Sequence, residues 1–108
     1  MNEPFFTVVV KAPLAEPVIK EIGTDYRDIY PELGCSCFEC VELDNNITMF
    51  CDEEGKLKPN IPNILIYDGA DIVFGTVLFA GNGDEGETTS LTSEQINFVM
   101  QYIKENEL

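Results

Sequence analysis

Four cysteines, Cys35, Cys37, Cys40 and Cys51, are the densest chemistry in the chain. A C-x-C-x-x-C run with a fourth thiol further on invites a zinc reading, because Zn²⁺ takes four thiolates at tetrahedral corners. The spacing is not that of a finger or ribbon, which would need two C-x-x-C pairs. Side chains alternate along an extended segment, so Cys35 and Cys37 point to one face and Cys40 to the other. The position of Cys51 depends on hairpin register. A three-residue Asp44-Asn45-Asn46 loop sets Leu43 opposite Ile47, Val41 opposite Met49 and Glu39 opposite Cys51. That register pairs apolar with apolar and is preferred. A two-residue Asn45-Asn46 loop sets Cys40 opposite Cys51 and makes a cross-strand disulfide conceivable. The plain expectation is reduced, small, semi-buried cysteines, with zinc as the one cofactor the residue types suggest.

The carboxylates are the second candidate. Lys plus Arg total 6 and Asp plus Glu total 20, a net charge of −14. After residue 60 the acids are Asp68, Asp71, Asp84, Glu85, Glu87, Glu94, Glu105 and Glu107, against Lys104 alone. Asp52-Glu53-Glu54 forms a second cluster. The plain reading is a solvated surface that keeps a small protein soluble. The functional reading is an acidic face that docks on a basic partner, including one that normally binds nucleic acid. Asp52, Glu53, Glu54, Lys56, Asn63, Asp84, Glu85 and Glu87 are the candidate partner- or ligand-binding residues. Gly81-x-Gly83-x-x-Gly86 has the letters of a dinucleotide loop, but the acids in and beside it would repel a pyrophosphate. The same segment lacks the alternating acids of a calcium loop.

Other classes fall away on composition. The chain has no His, which removes Ser-His and Cys-His nucleophile pairs and His metal ligands. The charge excludes a broad phosphate-binding surface, so no direct nucleic-acid contact is expected. Ile72 to Ala80, the longest apolar run, is too short to span a bilayer. The start carries Glu3 and no cation before Lys11, unlike a signal peptide, so the cytosol is the expected compartment. No carboxylate pair is singled out for hydrolysis, so the expectation is a non-enzymatic protein.

The elements that must position these groups read as one domain over residues 1–108. Phe5 to Val10 is apolar on both alternate faces, which predicts a strand covered on both sides. Ile72 to Phe79 reads the same way, with Gly75 as a bulge or close approach. These two are the expected central strands. Pro17 to Ile22 is a more polar strand. A helix capped by Thr24 or Asp25 carries Tyr26, Ile29, Tyr30 and Leu33, is broken or kinked at Pro31, and closes at Gly34. Phe38 to Leu43 and Ile47 to Cys51 form the hairpin, and Ile64 to Tyr67 a short strand. Thr92 and Gln95 make a capping box, with Leu91 and Ile96 as its staple. Ile96, Val99, Met100 and Ile103 then hold a helical stripe over about fourteen residues. The fold class is α+β: a mixed, mainly antiparallel sheet of five or six strands with two helices packed on it.

An ordered series of short motifs goes further. Gly34 closes the first helix. Asp52-Glu53-Glu54-Gly55-Lys56-Leu57 ends the hairpin, and Pro62-Asn63 follows. Asp71-Ile72-Val73-Phe74-Gly75-Thr76 and Ser90-Leu91-Thr92-Ser93-Glu94-Gln95 complete the set. In this order and spacing the chain resembles the domain-of-unknown-function family numbered 3846, small proteins of Gram-positive gut bacteria, their phages and mobile elements. Ile64 stands where such proteins often carry Arg. The cysteine-rich stretch stands where they are Gly-, aromatic- and β-branched-rich, which makes the cysteines particular to this chain. The resemblance carries no catalytic residue and implies a setting in phage or mobile-element biology. The reading that follows is an interaction protein that binds a basic partner, in its sharpest form an anti-defence DNA mimic. The alternative is a small-ligand or metal-binding regulatory domain using the cysteine hairpin or the Asp52 to Asn63 turn region.

Overall fold

The computed structural model describes residues 5–108. Phe5–Lys11 (β1) runs antiparallel to Val18–Gly23 (β2), with Phe6 opposite Ile22 and Val9 opposite Ile19. Phe38–Leu43 (β3) and Ile47–Asp52 (β4) form the expected hairpin. Its register is the preferred one, with Leu43 opposite Ile47 and Glu39 opposite Cys51. Asn45 and Asn46 take positive φ values of 63° and 57°, the left-handed conformation that Asn tolerates and the turn requires.

The apolar run from Ile72 to Phe79 is not one strand. Gly75, at φ 85°, turns the chain, and its N–H donates to the Ile61 carbonyl at 3.0 Å. Asp71–Phe74 (β6) therefore pairs with Pro62–Ile66 (β5) in a separate two-stranded sheet. Val77–Asn82 (β7) enters the main sheet instead. A continuous apolar run cannot distinguish one strand from two, because Val73 of one half and Val77 and Phe79 of the other enter the same core. The strand expected to end at Tyr67 ends at Ile66: Tyr67 and Asp68 both take φ 54° and build the turn into β6.

The main sheet runs β2-β1-β7-β4-β3, every pair antiparallel, with Thr88–Thr89 (β8) added to β7. Both faces are covered, as the doubly apolar β1 requires. Over one face lie β5, β6 and the C-terminal helix Ser93–Asn106 (α2). Val9, Met49 and Phe79 meet Ile64, Val73, Leu91, Val99 and Ile103 there. Thr92 caps α2 in the expected box: its hydroxyl accepts from the Gln95 N–H at 3.1 Å, and Gln95 accepts in return from the Thr92 N–H at 2.9 Å. Over the other face Val8, Ile22, Phe50 and Leu78 pack against Ile29 and Leu33.

The first helix is shorter than its apolar spacing predicts. Asp25 caps a 3-10 turn over Tyr26–Asp28, and only Ile29–Leu33 (α1) is α-helical. Pro31 does not break it, because it sits in the first turn of this short helix, where its missing N–H costs nothing. Gly34 closes it at φ 66°, as expected.

The two sheets are joined through a buried side chain. Asn63 on β5 is 1% exposed, and its amide donates to the Lys11 carbonyl at 2.9 Å and the Gly75 carbonyl at 2.8 Å. Its Oδ1 accepts from Lys11 Nζ at 3.1 Å, and that ammonium also donates to the Ala12 carbonyl at 3.0 Å. Lys11 is equally buried. Replacement Asn63→Ala leaves two carbonyls and a buried ammonium short of partners. It should destabilise the chain by about 3 kcal/mol in chemical denaturation. A loss under about 1 kcal/mol would show that Asn63 does not hold the sheets together.

Candidate functional site

The sheet topology gathers carboxylates at one end. The β3–β4 loop, the end of β7, the end of β2 and the start of α2 meet there. The Asn82 N–H donates to the Asn46 carbonyl at 2.9 Å, and Gln95 Nε2 donates to the Asn45 and Asn46 carbonyls at 2.9 and 3.0 Å. Asp44, Asp84, Glu85, Glu87 and Glu94 stand on these segments, joined by Glu42 next to the loop and by Asp25 and Asp28 after β2. Of the six cations in the chain, only Arg27 lies on these segments, and it pairs with Asp25 at 2.8 Å. The hydrogen bond from Arg27 holds the Asp25 carboxyl down at about 2. Lys11, Lys56 and Lys58 belong to the opposite end, where β1 and β4 finish.

Beside the acidic end the sheet opens. β1 and β7 pair only from Val9↔Phe79 to Lys11↔Val77. Beyond that, β8 takes over β7, with Gly81 opposite Thr89, while the Leu91 N–H donates to the Thr7 carbonyl at 2.9 Å. Gly81 must lack a side chain here, because a Cβ would stand 3.1 Å from the Ser90 carbonyl oxygen and 2.5 Å from the Thr89 hydroxyl. Over this divergence, on the α1 side, lies a cleft of about 380 Å³. Phe6, Val8, Ile22, Leu78 and Ala80 are among its lining residues, with Asp25, Tyr26, Glu87 and Thr88. The sequence carried no sign of it, because it arises from strand divergence rather than from a motif.

The cysteines do not converge. Cys51 is buried on the α2 side, whereas Cys40 lies opposite Phe50, whose side chain joins the core of the α1 side. Cys37 and Cys40 are exposed and Cys35 is half-buried. Among the described residues no group of three or more His, Cys, Asp or Glu side chains is arranged to hold a metal. Burial, reinforced by the Glu39 carboxylate that accepts from its thiol at 3.7 Å, pushes Cys51 up to about 12. Burial followed by Asp52 raises Cys35, and burial followed by Glu42 raises Cys40. These three thiols stay protonated at neutral pH, and the thiolate is the form that ligates metal or attacks a disulfide.

The Asp52 to Asn63 region is divided. Glu53, Lys56 and Asp52 line a cavity of only about 120 Å³ with Cys51 and Asp71. Asn63 is not among its walls; its amide is committed to Lys11 and Gly75. Lys56 is paired with Asp71. Glu54 and Glu53 are exposed. Asp52 is buried: one oxygen accepts from Lys58 Nζ at 2.8 Å and the other from the Glu54 N–H at 2.9 Å. The region is a network of internal pairs, and a volume this small lies below the range of small-molecule pockets.

The match to known proteins is to a family. The family described as a domain of unknown function (DUF3846) matches residues 6–106, nearly the whole chain. The chain belongs to this family, and its fold is α+β with a mainly antiparallel six-stranded sheet. No curated protein and no solved structure matches it significantly. No helix among the described residues is long and apolar enough to cross a membrane.

Burial raises the Asp52 carboxyl, but the bonds from Lys58 and the Glu54 N–H outweigh it, so its net position is below the ordinary value of 3.8. Its stabilisation is therefore complete above that value and is lost as the pH falls through the lower folded one. Asp52→Asn should lower stability by about 1 to 2 kcal/mol at pH 7. Denaturation of both chains from pH 7 to pH 2 should show the gap closing below pH 3.8. A gap that stays constant down to pH 2 would refute this role.

Proposed function

We propose that this chain is a non-enzymatic interaction protein of phage or mobile-element origin that docks on a basic partner protein through the acidic end of its main sheet. The observation that carries the reading is topological. Loops far apart in sequence bring Asp44, Asp84, Glu85, Glu87 and Glu94 to one end of the molecule. The nearest cation, Arg27, is already paired. Exposed carboxylates also lie elsewhere on the surface, but this end combines them with a lack of free cations among the described residues. Carboxylates gathered on one side steer association with a positive surface and repel nucleic acid and acidic partners. The proposed origin rests on the family resemblance and its phage and mobile-element setting. In the sharpest form of the proposal the partner's positive surface is one that binds nucleic acid, with carboxylates standing in for phosphates.

The test is affinity capture from host lysate at about 50 mM and about 500 mM salt, since exposed charges are screened beyond a Debye length of roughly 10 Å at 0.1 M. A basic protein held at low salt and released at high salt is the expected result. Duplex DNA added at low salt should displace it if the DNA-mimic form holds. A partner retained equally at both salt concentrations, or none at either, would overturn acidic docking.

A further inference from the structure

The cleft beside the acidic end has walls and a rim of opposite character. Its solvent-facing apolar surface comes from half-buried Phe6 and exposed Tyr26, over a floor in which Val8 and Leu78 are fully buried and Ala80 and Ile22 nearly so. Its volume of about 380 Å³ lies at the lower end of the range for ligand pockets, roughly 300 to 1,000 Å³. Water in such a hole finds few hydrogen-bond partners, so an apolar group that displaces it gains affinity. The rim carries two carboxylates, Asp25 and Glu87. They are not equivalent. Asp25 is matched by Arg27 on both oxygens, at 3.1 and 2.8 Å. Glu87 has no ion pair among the described residues, and its position is fixed. One carboxylate oxygen accepts from the Glu85 N–H at 3.0 Å, and its carbonyl accepts from the Gly83 N–H at 2.8 Å.

We propose that this cleft seats one apolar side chain of a basic peptide segment on the partner protein, with a flanking Lys or Arg placed on Glu87. The inference rests on the acidic-docking reading and deepens it by naming what the partner must present. Charge complementarity selects the occupant. An anionic ligand meets Glu87 and the adjoining Asp84 and Glu85, and an uncharged one leaves Glu87 unmatched at the mouth. A purely basic segment satisfies the rim and leaves Phe6 and Tyr26 wet. Only a segment with both features uses the whole site. The apolar anchor supplies the affinity and the flanking cations supply the selection.

The probes are three synthetic peptides, Lys-Lys-Phe-Lys-Lys, Lys-Lys-Gly-Lys-Lys and Glu-Glu-Phe-Glu-Glu, titrated into the ¹⁵N-labelled full chain at low salt. The lysine-flanked Phe peptide should shift the amides of Phe6, Ile22, Leu78 and Glu87 and bind at least about tenfold more tightly than the Gly peptide, which should move only the acidic loops. The Glu-flanked peptide should not bind. Glu87→Gln keeps the acceptor for the Glu85 N–H, so the loop is retained. It should weaken the Phe peptide by about two- to fivefold. Equal affinity of the two lysine peptides, with the cleft amides unmoved, would overturn the cleft proposal while leaving acidic docking intact. Binding of the Glu-flanked peptide would overturn the role given to Glu87. Failure of both lysine peptides to move any amide would overturn both readings.

Discussion

Strand β7 has to satisfy three neighbours with six residues. On one side it pairs with β4 from Leu78 to Gly81; on the other it pairs first with β1 and then with β8. Leu78 and Ala80 face the α1 side, while Val77 and Phe79 face the α2 side, and all four are buried. A strand buried on both faces cannot shift by one residue without exchanging its two cores, so its register fixes the sheet. The change of partner from β1 to β8 opens the cleft. The departure of the chain after Asn82 creates the acidic loop. Fold and candidate site therefore share one origin.

The buried polar groups serve the same arrangement. Lys11 and Asn63 close the end of β1 onto β5 and onto the Gly75 turn. That turn sends the chain from the small sheet into β7. A buried ammonium and a buried amide are costly unless every donor and acceptor is met. Here the described side-chain atoms that are buried all have partners. At the same end of the sheet Asp52 is bonded to Lys58 and Glu54, and Lys56 pairs with Asp71. The cations at this end are all paired internally, with Glu53 and Glu54 left exposed, whereas Asp44, Asp84, Glu85, Glu87 and Glu94 at the other end have no ion pair among the described residues.

Much of the fold was legible in the residues. The doubly apolar β1, the Thr92–Gln95 capping box, the Asn45-Asn46 turn and the hairpin register all follow from local pattern, because each is decided by neighbours in sequence. The split at Gly75 was only half legible: the glycine was visible, but the choice between a bulge and a change of sheet depends on the Ile61 carbonyl and the Asn63 amide. Asn63 drew attention through the Pro62-Asn63 motif and as a candidate binding residue, yet its bonds are internal. The cysteines illustrate the reverse. Their spacing suggested a metal, and alternation placed Cys35 and Cys37 on the face away from Cys40; the strand begins only at Phe38, so Cys35 escapes that alternation and packs on the α1 side with Cys40, while Cys51 lies in the other core. The cleft was invisible, since no residue type marks a place where two strands part.

Charge reversal at the two ends of the sheet tests the acidic end most directly. Two chains with two charge reversals each make the comparison, Asp84→Lys with Glu85→Lys at the acidic end, and Glu53→Lys with Glu54→Lys at the opposite end. Both sets lie on exposed turns, so both chains should keep the wild-type circular dichroism. The account predicts that the first loses capture of the basic partner at low salt by at least about tenfold, whereas the second retains it within about twofold. Equal loss in both would mean that net charge alone, and not a docking end, governs association, and would contradict the account.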